Sequence, residues 1–227
     1  MSHKCKFIDL GISEYGKTCE IQEKYHNELI NNKLSGKNID TSYLIFCEHP
    51  HVYTLGKSGE TNNLLINNDF LNKINATYFK TNRGGDITYH GPGQIVGYPI
   101  FNLEFIETGI KKYIYLLEES IIKTLSEYSV NAERLEGSTG VWLDTGNPAK
   151  TRKICAIGVR VSRSVTMHGF ALNVNTDLSY FSYINPCGFI DKGVTSLQKE
   201  LGKKVELDEV KNILIKNISE LYNLNVT

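Results

Sequence analysis

TYFKTNRGGDITYHGPGQIVGYPIFNL, residues 77–103, is the most punctuated part of the chain. Three runs in it read as short strands, at 77–81, 86–90 and 94–100. Pro92-Gly93 suits the two central positions of a type II turn, because Pro presets φ at the first and Gly accepts a positive φ at the second. The expectation is a hairpin of 86–90 with 94–100, with His90 at its tip. Arg83-Gly84-Gly85 and His90-Gly91-Pro92-Gly93-Gln94 bring a cation, an imidazole and backbone amides into one small region. Two tight turns in a sheet would explain them, and so would a pocket that needs close backbone approach.

Outward from this stretch, strand-like runs alternate with a few amphipathic helices. Residues 6–10, 43–49 and 52–55 read as strands before it, and 141–143, 153–162 and 166–174 after it. Tyr15, Cys19, Ile21, Tyr25, Leu29 and Leu34 recur at helical spacing, with Ser13 as N-cap and Ser35-Gly36 as breaker. Ile110, Tyr113, Ile114, Leu117, Ile121, Leu125 and Tyr128 form a second apolar stripe, and Val210, Ile213, Leu214, Ile218 and Leu221 a third, over 208–222. Residues 144–152 and 175–193 read as loops. Strands with intervening helices and many hairpin turns predict an α+β fold with a mixed or mainly antiparallel sheet.

The 227 residues fit one domain, 1–227, able to bury a core without disulfides or metal. Lys plus Arg is 25 and Asp plus Glu is 25, so no global field draws the protein to nucleic acid or an anionic membrane. No run of 18 apolar residues predicts a membrane span, and the N-terminus turns polar before any signal-peptide core could form. The five cysteines are odd in number and contain no CxxC pair, which predicts a reducing cytoplasm rather than a disulfide framework. His49, His51, His90 and His168 lack metal-site spacing, so no metal is expected.

Cys187 stands apart from Cys5, Cys19, Cys47 and Cys155. The other four sit near the terminus, on a helix stripe or inside strands, as small hydrophobes do. Cys187 lies in Asn185-Pro186-Cys187-Gly188, where turn chemistry would hold a thiol at a bend; it either pads the loop or reacts. Period-two alternation along 153–162 puts Lys153 on one face with Cys155, Ile157, Val159 and Val161. It either snorkels from a strand end into water or is partly desolvated beside an acidic group and exchanges a proton with it.

Six stretches in order resemble the lipoyl(octanoyl) transferases: EHPHVYTLGKSG from Glu48, RGGDITYHGPGQIVGYPIFNL from Arg83, EGSTGVWL from Glu136, KICAIGVRV from Lys153, HGFALNVNTDLSYFSYINPCG from His168 and GVTSL from Gly193. The resemblance implies the α+β fold of biotin and lipoate protein ligases, with a central mixed, largely antiparallel sheet flanked by helices. It implies transfer of an octanoyl group from acyl carrier protein to a lysine of lipoyl domains. The acceptors are those of oxoacid dehydrogenase E2 subunits and of the glycine cleavage H protein. By the same resemblance Cys187 carries the acyl group as a thioester and Lys153 is its proton partner. Substrate contacts fall on Arg83, Gly84, Gly85, Asp86, Ile87, Thr88, Tyr89 and His90, on Ala156, Ile157 and Gly158, and on Gly169, Phe170 and Ala171.

Amide formation from a thioester is downhill, so neither ATP nor a cofactor is implied beyond the phosphopantetheine that carries the donor. Backbone amides of Gly84, Gly85 or Cys187 are the expected oxyanion donors, and Gly84, Gly85, Gly158 and Gly169 are expected to leave room for the acyl chain. The family's members are often monomers. An ATP-dependent ligase of the same fold would need no acyl-carrying cysteine, and a non-catalytic acyl-binding protein would need no turnover. Acidic protein partners would require a local cationic patch, for which Lys150, Arg152, Arg160 and Arg163 are the candidates.

Overall fold

A computed structural model describes residues 3–37, 41–185 and 192–227. Among these, strands β1 (His3–Ile12), β2 (Thr41–Glu48), β6 (Gln94–Ile100), β7 (Glu133–Leu135), β8 (Ser138–Leu143), β9 (Arg152–Ser162), β10 (Val165–Asn173) and β12 (Leu224–Val226) form the main sheet. Its order is β12-β1-β2-β6-β10-β9-β8-β7, and β11 (Gly193–Val194) adds to β9 off that path. Pairs β1/β12, β1/β2 and β9/β11 are parallel and the rest antiparallel, so the sheet is mixed and largely antiparallel, as expected.

Helices cover both faces because the central strands are apolar on both. Along β2, Leu44 and Phe46 enter one core cluster while Tyr43, Ile45 and Cys47 enter the other. The first cluster is covered by α3 (Ile110–Ser126) and α5 (Leu207–Tyr222). Tyr113, Leu117, Ile121 and Leu125 of α3 and Val210, Leu214, Ile218 and Tyr222 of α5 recur every four residues, and each is buried. The second cluster is covered by α1 (Tyr15–Leu34), through Leu29. Short helices α2 (Asn68–Lys73) and α4 (Leu197–Leu201) complete the described set.

A second sheet, β4-β3-β5, is built from β3 (Val52–Leu55), β4 (Thr77–Lys80) and β5 (Ile87–His90). It corrects the expected hairpin. The turn forms, with Gln94 N–H donating to Gly91 O at 3.2 Å and Gly93 at φ +79°. Its two arms, however, go to different sheets: β5 pairs with β3 and β6 with β2 and β10. His90 is therefore not at a tip but buried where the sheets meet. The N-cap of α1 is Glu14, not Ser13, whose hydroxyl instead accepts from Thr18 Oγ1 at 2.9 Å. Residues 144–152 form a polar loop tied by turns, Thr151 N–H to Asn147 O at 2.9 Å among them.

Candidate functional site

Between the two sheets lies a cavity of about 460 Å³. Its floor is the β9/β10 pair, where Ala156 faces Ala171, Ile157 faces Phe170 and Gly158 faces Gly169. Val96 and Tyr98 extend the floor from β6, and Ile87, Thr88 and His90 from β5 form the opposite wall. Lys153, Trp142, Gly137–Thr139 and Lys192–Val194 also line it. The lining is mostly apolar, with a few polar groups converging on it.

Lys153 reaches the cavity because β9 is irregular. Val141 is registered with Cys155 and Trp142 with Lys153, so Ile154 is the extra residue of a bulge. The bulge breaks the expected alternation. Cys155 turns into the core, fully buried, while Lys153 turns to the cavity. Its ammonium stands 4.4 Å from the Trp142 ring centroid, a cation–π distance, and Trp142 Nε1 donates to Ser138 O at 3.0 Å. The strand after the 186–191 segment is fixed against the same residue, since β11 pairs with β9 in the register Val194–Lys153.

Cys187 lies outside the described residues. The four described thiols are poorly suited to be thiolates. Burial pushes Cys5 up to about 12, raises Cys47 and Cys155, and raises Cys19, where Glu23 and Glu20 add to the effect. Cys155, two residues from Lys153, is thus filler.

Arg83, Gly85, Asp86, Ile87, Thr88, His90, Ala156, Ile157, Gly158, Gly169, Phe170 and Ala171 all line the cavity, as expected from the motifs. Gly84 and Tyr89 do not. Gly84 N–H donates to Val159 O at 2.9 Å, so it is spent and cannot serve an oxyanion. Tyr89 points the other way: its hydroxyl meets His51 Nδ1 at 2.7 Å and its ring stacks on Tyr180 at 4.9 Å. It backs the wall through Phe181, 5.3 Å away, which does line the cavity. Nor do Gly158 and Gly169 free space for a ligand. A Cβ on Gly158 would lie 2.7 Å from Gly84 O, and one on Gly169 2.2 Å from Gly97 O, so these glycines admit neighbouring main chain.

The polar groups of the cavity are held by one another. Arg83, 8% exposed, donates from Nη2 to Thr54 O at 2.5 Å and Thr54 Oγ1 at 2.9 Å, and from Nη1 to Gly84 O at 3.1 Å. Asp86 accepts from Ile87 N–H at 2.5 Å and Asn63 Nδ2 at 2.7 Å. His90 Nδ1 meets Gln94 Oε1 at 2.8 Å, and Gln94 Nε2 donates to Asn173 Oδ1 at 2.8 Å. Asn173 Nδ2 then donates to Thr195 O at 3.0 Å, just past β11. Burial, helped by His49 and Arg83, holds His90 well below the ordinary histidine range, so it is neutral at neutral pH. Among the described residues no group of three or more His, Cys, Asp or Glu is placed to hold a metal ion.

Several lining residues carried no usable sequence signal. Trp142 stands in a quoted motif, but its contact with Lys153 depends on the bulge. Tyr15 and Tyr98 read simply as core, and they reach the cavity only because α1 and β6 meet there.

Residues 15–219 match the family model for the lipoyl protein ligase A/B catalytic domain. An octanoyltransferase of Flavobacterium johnsoniae is 54% identical over 100% of both chains. One of Bacteroides thetaiotaomicron is 54% identical over 97% of this chain and 96% of its own. Among solved structures, the bi-partite lipoate protein ligase of Thermoplasma acidophilum superposes with a TM-score of 0.74. It covers 99% of this chain and 86% of that one at 17% identity, and so speaks to the fold.

Proposed function

The chain belongs to the lipoyl protein ligase A/B catalytic-domain family, and we propose that it transfers an octanoyl group from acyl carrier protein to a lysine of lipoyl domains through a thioester on Cys187. The acceptors are lipoyl domains of oxoacid dehydrogenase E2 subunits and of the glycine cleavage H protein. No cofactor takes part beyond the donor's phosphopantetheine, and the reaction belongs to the cytoplasm. The observation that carries the reading is Lys153 on an apolar-walled cavity, in register with the strand that follows the segment bearing Cys187.

In the first step the Cys187 thiolate attacks the thioester carbonyl and the phosphopantetheine sulfur leaves. One thioester replaces another, so the step is close to neutral. Lys153 takes the Cys187 proton and returns it to the departing thiolate. In the second step the acceptor amine, deprotonated with the help of Lys153, attacks the acyl-enzyme. The C–S bond breaks, an amide forms, and Cys187 leaves as a thiolate. Trp142 beside the ammonium suits this work, because an aromatic face steadies the cation without binding its proton.

Incubation with octanoyl acyl carrier protein is expected to add one octanoyl mass, removable by hydroxylamine and absent from Cys187→Ala. Lys153→Ala should fold and lose transfer by about a hundredfold or more. Strict dependence on ATP in the transfer to a lipoyl domain would instead identify a ligase. Binding of the acyl group without turnover would identify a carrier.

A further inference from the structure

Three buried polar atoms between α1 and β10 have no hydrogen-bond partner among the described residues: Gln22 Nε2, His26 Nε2 and His168 Nδ1. Their residues are 0%, 3% and 2% exposed. Gln22 and His26 stand four residues apart on α1 and share its inner face. Gln22 Oε1 already accepts from the His168 main-chain N–H at 3.1 Å. His26 is near enough for its charge to bear on the His168 ring. An unpaired buried nitrogen costs about 1–3 kcal/mol, so three in one place call for a common partner.

His168 is also in the left-handed region, at φ +60°, which a residue with a Cβ keeps only when its surroundings hold it there. Gln22 holds its main chain, and Asn82 Oδ1 meets its ring Nε2 at 2.7 Å. Since that oxygen can only accept, Nε2 carries the proton and Nδ1 is a lone pair. Gln22 Nε2 can only donate. A donor, a lone pair and an imidazole nitrogen that adapts by tautomer match a single water with three bonds. Arg160, which depresses both imidazoles, disfavours a cation there.

We infer that Gln22, His26 and His168 hold one internal water, and that His168, locked by it, is the positioning residue for the Arg83–Gly85 wall of the cavity. The ring holds Asn82, the residue before Arg83. Two residues on, Gly84 N–H is bound to Val159 O at 2.9 Å, and Val159 is the β9 residue registered with His168. The wall is thus tied to both floor strands, to one through the water-locked ring and to the other through main chain.

Crystals of the whole protein that order solvent should show one water within about 3.2 Å of all three atoms. Rings and amide turned to other protein partners, with no water between them, would overturn the site. In solution, Asn82→Ala and, independently, Gln22→Leu should speed hydrogen exchange of the Gly84 amide by about tenfold or more, leaving that of Leu117 in α3 unchanged. Unchanged exchange at Gly84 in Asn82→Ala, or equal acceleration at Gly84 and Leu117, would overturn the positioning role. Should Gln22→Leu not fold, Asn82→Ala and the crystal decide. None of these readings involves acyl transfer.

Discussion

His49, His90 and His168 are each less than a tenth exposed, and each spends ring nitrogens on uncharged partners such as Tyr98 Oη, Gln94 Oε1 and Asn82 Oδ1. Burial lowers His49 to about 4 and, with Arg83 and Arg160 nearby, His168 to about 3. Their folded pKa values thus lie below the ordinary 6.5, and as pH falls the unfolded chain takes up protons first. The stability they contribute is whole above about pH 7 and is lost as pH falls from about 6.5 toward 4, by up to roughly 1.4 kcal/mol per pH unit for each histidine. Urea melts at pH 7.5 and 5.0 should show it, and His49→Gln should flatten the difference. A second expectation concerns the thiols: iodoacetamide on the native protein near neutral pH should label Cys187, and Cys187→Ala should label at a small fraction of that rate. Rapid labelling of Cys155 would contradict its burial. At this scale the sequence was informative where turn chemistry surrounds a residue. It separated Cys187 from four filler cysteines, but it could not say that Tyr89 points away from the cavity, because the partner that draws it, His51, is set by strand pairing.

Strand β9 does more than any other element to build the site, and its irregularity is what matters. A regular strand would have sent Lys153 into the core beside Cys155; the extra residue at Ile154 sends it to Trp142. Alternation is legible in sequence, whereas a bulge is decided by the partner strand. The same limit explains the hairpin that was not formed. Pro92-Gly93 specified a turn but not whether its arms would pair with each other, and β5 had a better partner in β3. The chain His90–Gln94–Asn173–Thr195 then ties the β5/β6 turn, β10 and the residue after β11 together. Asn173→Ala should therefore cost about 1–3 kcal/mol, since it strips buried Gln94 and the Thr195 carbonyl of a partner. It should also depress transfer more than Asn217→Ala, a comparable buried amide bound to Thr124 on the far helices. Equal loss of transfer in the two variants, at matched stability, would mean that β11 needs no such tether.

At the scale of the molecule, the charge balance of 25 against 25 requires any docking field to be local, and the structure redistributes the cations expected to make it. Arg152 is engaged by Glu200, at 2.7 and 2.6 Å, and by Asp144. It clamps α4 to the start of β9 and offers little to a visitor. Arg163 lies ten residues along from Lys153 at the other end of β9, roughly 30 Å away at the rise of an extended strand. That is about three Debye lengths at 0.1 M salt, too far for its charge to act at the cavity. Lys150 is exposed, and its neighbour Thr151 accepts from Gly193 N–H at 3.0 Å, which puts it beside β11. If an acidic carrier protein docks where Lys153 works, Lys150→Glu should raise its KM several-fold at low salt and lose most of that effect by about 0.3 M, while Arg163→Glu leaves KM unchanged. Both variants should keep the same kcat, because neither residue lines the cavity. Equal effects of the two substitutions would show that the field acting on the partner is global, which a chain with no net charge has no means to supply.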